Sequence, residues 1–112
     1  MPDKIRVAGT SDIADGKCFE ARVGDRTLVI VNMDGAFYAL DGICTHAGGP
    51  MAMGWIEDGK ISCPLHGAEF DVKTGKRSSM VARADLGVYP VTIEGDDILV
   101  DISTPGAEAK SP

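Results

Sequence analysis

Long apolar runs, clustered basic residues and helical periodicity are all missing from this chain of 112 residues. No stretch approaches the twenty or so apolar residues that cross a bilayer, and Leu28-Val29-Ile30-Val31 is its longest purely aliphatic run. The opening Met1-Pro2-Asp3-Lys4-Ile5-Arg6 has no apolar h-region, which argues against secretion by a standard signal peptide. Lys+Arg number 11 against 17 Asp+Glu, a net charge of -6. Phosphate contacts need clustered Lys and Arg, so nucleic acid is not an expected partner, and neither is a membrane. An odd set of three cysteines speaks against a disulfide framework, and the expected compartment is the cytoplasm. What is present is 44% apolar residues, ordinary for a soluble globular domain. A chain of this length buries roughly 65% of its unfolded surface, enough for one modest core. Against that background, three cysteines and two histidines stand out as candidate metal ligands.

Turn chemistry and short β-type runs organise the chain. Asp15-Gly16, Asp34-Gly35, Asp41-Gly42 and Asp58-Gly59 each suit a turn that tolerates positive φ. Lys17 to Val23 alternates as a half-buried strand does, and Arg26 to Asn32 is apolar through its middle, as in a strand covered on both faces. Asp34-Gly35 then turns into Ala36-Phe37-Tyr38-Ala39-Leu40, which predicts a hairpin. Val88 to Ile93 and Ile98 to Ile102 predict a second one. A single helical turn is expected near Ser11-Asp12-Ile13-Ala14, capped by Ser11. The expected fold is therefore all-β, an antiparallel sandwich or barrel over residues 1–102. Residues 41–76 break the strand pattern and are expected to form a small insert of two loops, while residues 103–112 are expected to be a flexible polar tail. There is no internal repeat.

Chemistry concentrates in that insert. Cys44-Thr45-His46 and Cys63-Pro64-Leu65-His66 place both histidines within three positions of a cysteine. Thiolates hold iron or zinc strongly, and neutral imidazoles complete such sites. Gly48, Gly49 and Gly67 let backbone N–H groups approach anionic sulfur, and Pro64 stiffens the second loop. Spacing alone leaves two readings open: a structural zinc site, or a Rieske [2Fe–2S] centre with two Cys on one iron and two His on the other.

The residues around the ligands separate these readings. Cys44-Thr45-His46-Ala47-Gly48-Gly49-Pro50-Met51, with Gly54 beyond it, resembles the first loop of Rieske proteins. Cys63-Pro64-Leu65-His66-Gly67-Ala68-Glu69-Phe70-Asp71-Val72, followed by Gly75, resembles the second loop and its exit strand. The similarity is to Rieske ferredoxins, the small electron carriers of bacterial ring-hydroxylating dioxygenase systems. It runs through Tyr89-Pro90-Val91 to the last strand. It implies one [2Fe–2S] cluster per chain, with Cys44 and Cys63 on the inner iron and His46 and His66 on the outer iron through Nδ1. It also implies a flavoprotein ferredoxin reductase and a terminal oxygenase as partners, no substrate pocket, and no catalysis by the chain itself. With both histidines assigned as ligands, no Ser-His-Asp arrangement is available. Two other readings are a small Rieske-like subunit of an NAD(P)H-dependent nitrite reductase and a zinc-binding interaction module.

Some residues depart from the family pattern. Gly49 and Leu65 stand where high-potential Rieske proteins link the loops by a disulfide, and Ala68 stands where they place a hydroxyl near a cluster sulfur. Fewer hydrogen bonds to sulfur and an acidic chain both disfavour an added electron, so the expected potential is roughly -150 mV. Arg77-Ser78-Ser79-Met80 lacks the proline that many relatives carry there. Outside the motif, Cys18 is expected to be a buried structural thiol and Trp55 to pack beneath the insert. Met51 and Leu65 are expected to form an apolar docking collar, and Asp96-Asp97 and Glu57-Asp58 to be solvated turns.

Overall fold

The computed structural model describes residues 4–23, 26–42, 51–63, 68–77 and 86–102. In chain order these form β1 (Lys4–Gly9), a 3-10 turn (Thr10–Asp12), β2 (Cys18–Val23), β3 (Arg26–Met33) and β4 (Ala36–Asp41). A second 3-10 turn (Met51–Met53) leads into β5 (Trp55–Glu57), β6 (Lys60–Ser62) and β7 (Glu69–Asp71). The chain closes with β8 (Val88–Tyr89), β9 (Val91–Glu94) and β10 (Asp97–Asp101). Every pairing among them is antiparallel. The sheets run β1-β10-β9, β2-β3-β4-β8 and β5-β6-β7, so the fold is all-β as expected.

Strand β3 explains how the three sheets hold together. Leu28, Val29, Ile30 and Val31 are all fully buried, although successive side chains of a strand point to opposite faces. Leu28 and Ile30 belong to one core, with Ala21, Tyr89, Ile98 and Val100 from the first two sheets. Val29 and Val31 belong to a second core, with Leu40, Met51, Ile61, Phe70 and Leu86, which reaches into the insert. Full burial of each aliphatic side chain is worth about 1.5–3 kcal/mol, so this one strand anchors both cores.

Two Asp-Gly pairs are hairpin turns of the kind expected. Asp34 and Gly35 have φ of 57° and 85°, and Asp58 and Gly59 have 53° and 78°, the doubly positive geometry that matches strand twist. Asp41-Gly42 is different. Asp41 stays in β4, and the Gly42 N–H donates to the Thr27 carbonyl at 2.8 Å. A Cβ at position 42 would sit 2.9 Å from the Leu28 carbonyl carbon, so this glycine serves a close backbone approach and not a turn.

Three further expectations need correction. The strand expected from Val88 to Ile93 is split at Pro90: β8 pairs with β4, whereas β9 pairs with β10 in another sheet. Pro90 has no N–H for a ladder, but its carbonyl accepts from the Asp101 N–H at 3.0 Å. The insert is more than two loops, because β5, β6 and β7 form a sheet of their own. Ser11 lies inside the first 3-10 turn; Gly9 precedes that turn, and its N–H donates to the Asp12 carboxylate at 2.8 Å. Residues 103–112, the expected tail, lie outside the described residues.

Candidate metal centre

Of the four expected ligands, Cys63 is described; Cys44, His46 and His66 lie outside the described residues, as does Leu65. Cys63 follows β6 directly and is fully buried in the second core. Its N–H donates to the Ala68 carbonyl at 2.8 Å, which ties together the two ends of the segment 64–67. The first ligand segment is tied in the same way. The Met51 N–H donates to the Gly42 carbonyl at 2.8 Å, across residues 43–50. Met51, Cys63 and Ala68 all belong to one apolar core. Two segments separated in sequence by residues 51–63 are thus anchored on the same buried surface.

Backbone contact makes that anchorage tight. Trp55 pairs with Ser62, the residue before Cys63, and Gly54 lies so close to Ser62 that an added Cβ would fall 1.7 Å from its carbonyl oxygen. Only glycine allows this approach, so β5 and β6 hold the first segment's exit against the second segment's entry. A third connection returns to the same core, where the Leu86 N–H donates to the Gly75 carbonyl at 2.7 Å.

Cys63, the described member of the expected donor set, suits an iron–sulfur group in its chemistry. An anionic sulfur in apolar surroundings is costly unless a metal ion balances its charge, and Cys63 is fully buried among apolar side chains. Among the described residues, no group of three His, Cys, Asp or Glu side chains is placed to hold a metal ion.

A profile of the Rieske [2Fe-2S] domain matches residues 3–90. The chain belongs to the Rieske [2Fe-2S] family. The cofactor of this family is a Rieske-type [2Fe–2S] cluster, in which two anionic cysteine thiolates would hold one iron and two neutral histidines the other. The ferredoxin component of biphenyl 2,3-dioxygenase from Rhodococcus jostii is 34% identical over 87% of this chain and 91% of its own. The ferredoxin component of the naphthalene 1,2-dioxygenase system from Pseudomonas putida is 35% identical over 88% and 95%. Among solved structures, the ferredoxin of carbazole 1,9a-dioxygenase from Nocardioides aromaticivorans superposes with a TM-score of 0.83 at 29% identity, covering 87% of this chain and 95% of that one. A chain assigned as an NADH-dependent nitrite reductase small subunit from Mycobacterium tuberculosis has a TM-score of 0.80 at 17% identity, which shows a shared fold alone.

Side chains near the Rieske motif differ from expectation in two places. Met51 is fully buried and packs in the core beneath the insert, so it is no collar residue. Trp55 is half exposed, and Met53 is 73% exposed. Apolarity marked these residues, but it could not say which of them faces inward. Cys18 is half-buried at the start of β2, and its thiol donates to the Ala52 carbonyl at 3.4 Å. Burial pushes that thiol's pKa up, as fits a structural cysteine.

One cluster was not visible in the sequence. The Tyr89 hydroxyl donates to one oxygen of the Asp41 carboxylate at 2.6 Å, and the Gly87 N–H donates to the other at 2.9 Å. Arg26 donates to the Tyr89 hydroxyl at 3.2 Å, with its guanidinium 5.8 Å from the ring centroid. Burial and the Asp41 carboxylate push the Tyr89 pKa up to about 12, against a smaller opposite pull from Arg26. Three separate strands supply these residues, and no local spacing links them.

Proposed function

We propose that this chain is a soluble, cytoplasmic one-electron carrier that takes electrons from a flavoprotein reductase and passes them to a terminal aromatic-ring-hydroxylating oxygenase. Cys44 and Cys63 hold the inner iron of its cluster, and His46 and His66 hold the outer iron. The observation that carries this reading is the anchoring of both ligand segments on one buried surface through Met51, Cys63 and Ala68. Similarity spanning 95% of a relative named as the ferredoxin component of a naphthalene 1,2-dioxygenase system supports it. A solved complex of a related ferredoxin with the oxygenase of carbazole 1,9a-dioxygenase supports the choice of partner. Neutral imidazoles in place of two thiolates make the cluster less anionic and easier to reduce than an all-cysteine one. Among the described residues, no helix is long and apolar enough to cross a membrane.

Metal analysis and turnover test the proposal together. The purified protein should be red-brown, carry two irons and two labile sulfides per chain, and give an EPR signal only after reduction. His46→Ala or His66→Ala should abolish that signal. Hydroxylation by a reductase–oxygenase pair of this class should depend on added protein. A colourless protein holding one zinc, or copurification with a sirohaem-containing large subunit, would defeat the reading.

A further inference from the structure

The ladder between β4 and β8 ends in an unusual way. Leu40 pairs with Val88 and Ala39 with Tyr89, so the next partners along the strands are Asp41 and Gly87. The Asp41 N–H does donate to the Gly87 carbonyl at 2.9 Å. The return bond, however, runs from the Gly87 N–H to the Asp41 side chain at 2.9 Å. A regular antiparallel pair would use the Asp41 backbone carbonyl for that bond. The carboxylate therefore takes over a backbone role at the last rung of the sheet, and its second oxygen is held by the Tyr89 hydroxyl.

The position of this rung gives it consequence. Immediately after Asp41, the Gly42 N–H bonds to Thr27 in β3 and the Gly42 carbonyl accepts from Met51. Asp41 is thus the last residue of the sheet before the chain enters the first ligand segment. On its other side, Gly87 follows Leu86, whose N–H is bonded to Gly75 and whose side chain lies in the core shared with Met51 and Cys63.

We propose that Asp41 is a positioning residue for the metal centre: its carboxylate, gripped by Tyr89 and Gly87, fixes the end of β4 and with it Gly42, whose carbonyl holds the Met51 N–H at the far end of the first ligand segment. This rests on the ligand assignment above. The carboxylate supplies both acceptors, one for each donor, so the end of β4 is held at two points by β8 and the residue before it. An amide at this position keeps one acceptor for Gly87 and can donate to the phenol oxygen instead. A methyl group keeps neither, and two donors lose their partner.

The test compares Asp41→Ala and Asp41→Asn with the unaltered protein, each as purified with its cluster. In Asp41→Ala, the Gly87 and Met51 amides should exchange with solvent about tenfold faster, while Val29 and Val31 stay protected. The EPR signal of the reduced cluster should broaden and shift, and a chelator should strip iron about tenfold faster. Asp41→Asn should restore most of both properties. If Asp41→Ala loosens Gly87 but leaves Met51 exchange, the EPR signal and iron release unchanged, the inference is overturned. Should Asp41→Ala fail to fold, Tyr89→Phe removes one grip alone; a smaller change in the same direction supports the role, and none at Met51 overturns it. The EPR signal of the unaltered protein judges the ligand assignment separately, because Met51 exchange reads the grip whatever the metal.

Discussion

The N–H of Cys63 donates to the carbonyl of Ala68 at 2.8 Å, and both residues are fully buried in the same core. The side chain of Ala68 is a methyl group, which cannot hydrogen-bond a cluster sulfur. The potential of this protein should therefore lie near roughly -150 mV, at the low end of the Rieske range. Ala68→Ser should raise it, at some cost in stability if the hydroxyl is incompletely bonded, since an unmet buried donor costs about 1–3 kcal/mol. Protein-film voltammetry checks both values. A potential well above zero in the unaltered protein, or a lower melting temperature in Ala68→Ser without any change in potential, would show that this position does not tune the cluster.

Gly54 and Gly59 lie on the same hairpin but should respond differently to alanine. A Cβ at Gly54 would collide with the Ser62 carbonyl oxygen, so β5 and β6 must separate beside Cys63. Gly54→Ala should cost about 3 kcal/mol and lower the iron content. At Gly59 the space is open, and only the φ of 78° penalises a side chain. Gly59→Ala should cost about 1 kcal/mol and leave iron content unchanged. Urea titration with iron analysis separates the two; equal losses would mean that the approach of Gly54 to Ser62 does not support the metal centre.

Part of this architecture was legible in the residues. Four aliphatic residues in a row predicted that β3 is buried on both faces, and it is. The two Cys-His pairs were conspicuous because each falls within a few positions of sequence. What brings their segments together was not legible, because Met51, Cys63 and Ala68 meet only through tertiary packing. The strands of the insert are three residues each, too short to show alternation, and their pairing depends on a glycine contact across the hairpin. The break at Pro90 was missed because good strand residues flank it on both sides. Likewise, the grip on Asp41 joins residues 46 and 48 positions apart, a distance no pattern spans.

Cys18 should be dispensable for the cluster. Its thiol bonds to the Ala52 carbonyl, in the turn that follows the first ligand segment, and burial raises its pKa. Cys18→Ser keeps a donor at that position and should retain full iron and sulfide, at a cost of about 1 kcal/mol. In the unaltered protein, this thiol should react with iodoacetamide much more slowly near neutral pH than a free cysteine does. Loss of iron from a folded Cys18→Ser protein would make this residue part of the metal centre after all.

Tyr89 should make stability fall at high pH. Its pKa rises from 10.0 to about 12 in the fold, mainly by burial and then by the Asp41 carboxylate. The unfolded chain therefore loses this proton first as pH rises, and between these two values the native state binds more protons than the unfolded state. Stability with a slope of that sign is fully present below about pH 10 and is lost as pH approaches 12. Tyr89→Phe removes the group and its bond to the carboxylate. It should cost about 2 kcal/mol near neutral pH, the usual worth of a hydrogen bond to a charged group. Above pH 10.0 the cost should shrink, because the unaltered protein is losing what the variant never had. Denaturant midpoints for both proteins, measured from neutral pH upward, give the comparison directly. Parallel curves across that range would mean that the Tyr89 phenol does not keep its proton in the folded state.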